Sequence, residues 1–134
     1  MAMRTAADDV RPAAPADESR LHEAALDEAA ALAPAAALFR GLGDPNRLAI
    51  LRHLALGEHR VRDLTDHLGL AQSTVSAHCL CLRDCGLVNA RPSGRATVYS
   101  LAHPELLELL AAAEQLLAAT GDAVALCPTY GTVS

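Results

Sequence analysis

The sequence has no lysine and no tryptophan, and its only aromatic residues are Phe39, Tyr99 and Tyr130. A core with so few rings must be built from Leu, Val and Ala, and a chain this rich in Ala and Leu is predicted to be mainly helical. No apolar run approaches the roughly 18 residues that a membrane span requires. The N-terminal Ala/Asp/Arg mixture lacks the apolar stretch of a signal peptide. These absences point to a cytoplasmic chain without a membrane partner, where four cysteines read as thiols or metal ligands rather than disulfides. The sequence also lacks a nucleophile–base–acid constellation and a Gly-rich phosphate loop, so an enzyme is not expected and no organic cofactor is implied. All eleven cations are arginine. The missing lysine is read as a GC-rich coding bias rather than a device for gripping phosphate.

Charge is unevenly spread. Residues 1–39 hold three Arg and seven acids, and residues 102–134 hold four acids and no base, so each end carries a net −4. Residues 40–101 hold eight Arg and five acids, a net +3 within a chain of −5. A basic middle between acidic ends is where a DNA-binding unit belongs.

Residues 1–18 mix Ala, Pro and Asp without apolar period and are expected to be a disordered tail. A helix over about 20–32, capped by Asp17 or Ser19, carries Leu21, Leu26 and Leu32, and Pro34 is expected to open a second helix ending at Gly43. Asp44 before Pro45 reads as an N-cap for a helix to about Leu56 that turns Leu48, Ile50, Leu51 and Leu54 inward. Val61, Leu64 and Leu68 stand at helical spacing before Gly69, and a helix over Ser73–Asp84 follows a short turn, which is the helix-turn-helix pattern. Leu87–Arg91 and Ala96–Leu101 then read as strands around Pro92–Arg95, a hairpin wing with an exposed arginine near its tip. Pro104 opens a last apolar helix closed by Gly121. The architecture expected is therefore mainly α, an α+β winged helix-turn-helix of about five to six helices with one β-hairpin. A domain over 19–120 lies between the tail 1–18 and a C-terminal tail over 121–134. Apolar helices left over at both ends imply a homodimer.

The helix over Ser73–Asp84 carries two kinds of chemistry. Gln72, Ser73, Thr74, Ser76 and His78 form the polar first turns expected to enter the major groove of double-stranded operator DNA, with Gln72 or Ser73 also available as a cap. Arg91 and Arg95 are assigned to the wing as phosphate or minor-groove contacts, and Arg47 and Arg62 are weaker phosphate candidates. Further along, Cys81 and Cys85 lie four residues apart, about 40° apart around a helix, so both sulfurs share one face. Cys79 falls on the inward stripe Val75–Cys79–Leu82 and is read as a buried thiol. His78 stands one turn before Cys81, but DNA contact or a local hydrogen bond is preferred for it over a ligand role. His53, His59 and His67 are scattered along the sequence and are read as solvent-facing.

Three blocks, Leu42–Leu51, Val61–Leu64 and Ser73–His78, with the hairpin from Gly86 to Leu101, resemble the ArsR/SmtB family of winged-helix metal-sensing repressors over about residues 35–118. The resemblance implies a homodimer that leaves its operator when an inducer binds. One family site, a Cys-x-Cys pair before the helix-turn-helix, is absent here because Arg60 and Arg62 stand at those places. Another, of acid and His ligands on the last helix, is broken: His103 and Glu105 sit near its first cluster, but Leu116 and Ala119 occupy the second. The remaining match is the cadmium/lead type, which implies Cys81 and Cys85 with Cys127 from the tail as the metal ligands and Cd(II) or Pb(II) as inducer. As(III), Sb(III) or Zn(II), and a thiol redox switch, stay open as alternatives. The tail reaches about 20 Å beyond Gly121, enough for either its own helix or its partner's, and the resemblance favours the partner.

Overall fold

The computed structural model describes residues 15–127. Its elements in chain order are α1 (Pro15–Leu42), α2 (Pro45–Leu54), β1 (His59–Arg60), α3 (Val61–Leu68), α4 (Gln72–Asp84), β2 (Val88–Ser93), β3 (Ala96–Leu101) and α5 (Glu105–Ala119). The mainly-α winged helix-turn-helix expected from the sequence is present. The described chain divides into two compact units that part between Ala36 and Ala37.

The described part of the first unit is the N-terminal run of α1. The sequence suggested two helices meeting at Pro34, but α1 is continuous through it. Proline removes one helical hydrogen bond, yet the Ala-rich flanks have the highest helix propensity and no glycine interrupts them. The helix also starts at Pro15, so residues 15–18, assigned to a disordered tail, are helical. Asp17 and Glu18 in its first turn complement the positive end of the helix dipole. The remainder of the expected N-terminal tail, and the C-terminal tail beyond Cys127, lie outside the described residues.

In the second unit, α2 begins as its sequence dictates. Asp44 sits in extended backbone and its Oδ1 accepts the amide hydrogens of Asn46 (2.8 Å) and Arg47 (3.1 Å). The Arg47 amide first, then the Asn46 amide and the charges of His78 and Arg47, outweigh the opposing effect of burial and hold the Asp44 carboxyl below its ordinary value of 3.8. A carboxyl depressed in the folded state contributes stability above the unfolded pKa and loses it as pH falls through the folded one. Asp44→Ala is therefore expected to cost about 1 kcal/mol near neutral pH. Asp44→Asn should keep most of the cap while flattening the acid limb of the stability profile, as measured by urea denaturation across pH.

Gly69, at φ 67°, ends α3 in the left-handed conformation and turns the chain into α4. The inward stripe of α4 is as the sequence indicated: Val75, Cys79 and Leu82 are fully buried, meeting Ile50 and Leu51 of α2 and Leu64 of α3 in one core. Neither Gln72 nor Ser73 caps α4; its N-cap is Ala71, which offers no side-chain hydrogen bond. Strands β2 and β3 pair antiparallel from Val88↔Leu101 to Ser93↔Ala96, with Gly94 at φ 63° in the turn. The two-residue strand β1, not foreseen from the sequence, adds to the other edge of β3 through His59↔Tyr99 and Arg60↔Val98. Leu106 and Leu110 of α5 enter the same core, as do Leu126 and Cys127 of the segment that follows it.

Candidate nucleic-acid interface and thiol pair

The turn between α3 and α4 sets the polar start of α4 beside the wing. An open groove of about 670 Å³ runs between them, lined by Arg60 and Arg62 at the start of α3, Gln72 and Ser76 on α4, and Arg95 and Thr97 on the wing. Arg62, Gln72 and Arg95 are exposed to solvent. Three guanidiniums around hydroxyl and amide groups make a lining suited to phosphate and base edges. Asp63 offsets one of them in part: its Oδ2 accepts from the Arg60 amide at 3.2 Å and lies 3.5 Å from the Arg60 Nε.

The structure thus brings together Gln72, Ser76 and Arg95 from the residues expected at DNA, with Ser73 and Thr74 exposed on the same first turn of α4. Arg91 is engaged elsewhere, donating to Glu58 at 2.5 Å. His78 faces inward: its side chain is 17% exposed, its Nε2 lies 4.0 Å from Asp44 and its Nδ1 3.4 Å from the Arg47 guanidinium. It is withdrawn from the DNA-facing set, because the inward turn of α4 that follows Val75 carries it against the start of α2. Arg47 is likewise not free for phosphate, since its Nε donates to the Gly41 carbonyl (2.7 Å) and its NH2 to the Arg40 carbonyl (2.9 Å). Arg60 was missed as a groove residue. The signal was its alternation with Arg62, which the sequence did offer as a weaker phosphate candidate, whereas Arg60 was read only as the loss of a cysteine.

At the other end of α4, Cys81 and Cys85 are half-buried neighbours. The Cys85 sulfur lies 3.6 Å from the Ala37 carbonyl of α1. Burial first, then the charge and hydrogen bonding of Cys81, raises the Cys85 thiol above its ordinary pKa, with Arg47 pulling the other way. Gly41 completes the cradle, for a Cβ there would stand 3.1 Å from the Cys85 sulfur. Two adjacent thiols on one helix face fit a soft ion.

Cys127 is buried on α5, its amide and that of Leu126 donating to the Glu114 carboxylate and its sulfur 3.7 Å from the Leu107 carbonyl. Burial, then Glu114, raises its thiol pKa. Within one chain it forms no three-sulfur group with Cys81 and Cys85: among the described residues, the trio of close metal-ligand atoms is His53, His59 and His67. Cys79 is fully buried, and burial pushes its thiol up to about 11.

A helix-turn-helix whose second helix and wing flank an arginine-lined groove defines a DNA-binding transcription regulator. Residues 44–90 match the family model described as bacterial regulatory protein, arsR family. The chain is 38% identical over 92 residues to a probable mercury resistance operon repressor of Streptomyces lividans, spanning 69% of this chain and 74% of that one. It is 44% identical over 84 residues to the HTH-type transcriptional regulator CmtR of Mycobacterium tuberculosis, spanning 63% and 71%. A homodimeric winged helix-turn-helix DNA-binding domain from Mycobacterium bovis superposes with a TM-score of 0.61 at 34% identity, over 68% of this chain and 83% of that one. The chain belongs to the ArsR family of bacterial transcription regulators, and it is a regulator rather than an enzyme. Among the described residues, no helix is long and apolar enough to cross a membrane.

Proposed function

We propose that this chain is a metal-responsive repressor that binds operator DNA as a homodimer and is released when a soft ion is captured by Cys81 and Cys85 together with Cys127. Cd(II) or Pb(II) is the inducer favoured by the resemblance to cadmium/lead sensors. The observation that carries the reading is the half-buried thiol pair, seated on the helix whose other end lines the arginine groove. Soft, polarisable ions prefer thiolate to imidazole or carboxylate. When bound, such an ion would supply strong bonds between the recognition helix and the tail.

The chain's own residues set the rest. Cys127, docked on α5 through Glu114, must leave that position to join the pair of its own chain. Moving the tail against α4 changes the helix that carries Gln72 and Ser76, and the coupling is reciprocal, so DNA must weaken ion binding equally. Leu21, Leu26, Leu32 and Leu116 are more than half exposed in the single chain, which supports pairing with a second copy. The mercury-resistance name of one relative favours Hg(II) as a second inducer at the same sulfurs.

Operator DNA titrated with the protein, alone and in saturating Cd(II), Pb(II), Hg(II) or As(III), tests the reading; unchanged affinity in every ion rejects it. Ion-free release by peroxide would instead support a thiol redox switch. In the same assay Arg95→Ala is expected to weaken binding to all sequences and to lower the slope of log affinity against log salt by about one.

A further inference from the structure

Three histidines that are scattered in the sequence meet in the fold, correcting their reading as separate surface residues. His53 lies in the last turn of α2, His59 in β1 and His67 in the last turn of α3. The His53 and His67 rings stack with centroids 4.8 Å apart, and His59 stands edge-on to them at 6.1 and 5.6 Å. One ring nitrogen from each lies within 4.8 Å of the other two. Three points so spaced share a centre no more than about 2.8 Å from each of them. Zinc–imidazole bonds are about 2.0–2.1 Å, so closing each arm by less than about 1 Å makes a site, a change within reach of side-chain rotation.

A second observation points the same way. The His59 Nδ1 is 2.8 Å from the Gly57 carbonyl. A carbonyl only accepts, so Nδ1 is the donor and Nε2 is the nitrogen left for an ion, the arrangement that orients metal-binding imidazoles. Gly57 holds that carbonyl from a φ of 147°, a region other residues rarely adopt. Core packing does not explain the cluster, since His53 and His59 are half-buried, His67 is exposed, and none joins the hydrophobic core.

We propose that His53, His59 and His67 form a second metal site, taking a divalent ion of borderline softness such as Zn(II), Co(II) or Ni(II) and separate from the thiol pair. The three donors are all nitrogen, which suits these ions rather than the soft ones. Because β1 pairs with β3, an ion here ties α2 and the first helix of the helix-turn-helix to the inner edge of the wing. The inference is independent of the inducer proposed above.

The test uses full-length protein with Cys81, Cys85 and Cys127 replaced by serine, titrated with Co(II) and competed with Zn(II). One Co(II) per chain is expected, with ligand-field absorption and no sulfur charge-transfer band. His53→Gln, His59→Gln and His67→Gln should each weaken binding tenfold or more, whereas His103→Gln should not. Binding that survives all three substitutions overturns the proposal. In the unmodified protein, saturating Zn(II) should shield His53, His59 and His67, but not His22 or His103, from diethyl pyrocarbonate, read peptide by peptide. Equal modification with and without Zn(II) overturns the site without reliance on any variant's folding.

Discussion

Replacing Cys81 or Cys85 with serine is expected to abolish the sulfur-to-metal absorption band on Cd(II) addition and to leave the repressor on its operator. A metal-driven loss of affinity of about a hundredfold corresponds to about 2.7 kcal/mol, and either substitution should remove nearly all of it. Serine keeps the size of the side chain but does not ionise near neutral pH, so half the helix-borne donor set is lost. Metal-free DNA binding should stay within about twofold, because neither cysteine lines the arginine groove. Cys127→Ser is expected to weaken the band and the release. Cys79→Ala is the proper control, since a serine hydroxyl buried at that fully enclosed position would lack a partner and cost about 1–3 kcal/mol. Cd(II)-driven release that persists in the Cys81→Ser/Cys85→Ser double variant would remove the thiol pair from the mechanism.

Arg47→Ala is expected to lower stability by about 2–3 kcal/mol, measured as a shift of the urea midpoint at unchanged slope. The side chain satisfies two carbonyls at the C-terminal end of α1 while its third nitrogen meets His78 on α4. One residue of α2 therefore joins two other helices, and removing it strands acceptors that the helix end cannot satisfy alone. Arg47→Lys should recover less than half of the loss, because a single ammonium cannot reproduce the fork. If Arg47 were a phosphate contact instead, both variants would weaken DNA binding and leave the urea midpoint in place.

The contrast between Arg47 and Arg95 shows what the sequence could reveal. Elements whose signals are local were legible: the Asp44 cap, the Gly69 turn, the Val75–Cys79–Leu82 stripe and the hairpin around Gly94 all follow from neighbouring residues. Arg95 was legible for the same reason, since a hairpin tip has nowhere to turn but outward. Arg47 and His78 were not, because their partners lie across the fold, and a guanidinium that caps a helix looks the same in sequence as one that binds phosphate. The histidine trio was hidden more deeply. Its members sit at the ends of two helices and in a two-residue strand whose pairing with β3 has no local signature. The unbroken α1 marks a different limit, where propensity summed over a long Ala-rich run outweighs a single proline.

Cys79 gives the molecule an internal clock. With no exposed surface and a thiol pushed up to about 11, it resists alkylating reagents for as long as the core stays closed, whereas the half-buried thiols on the same helix are open to attack. Its labelling rate therefore counts openings of the core, so a ligand that tightens the winged domain can be scored by how long this one sulfur stays unmodified.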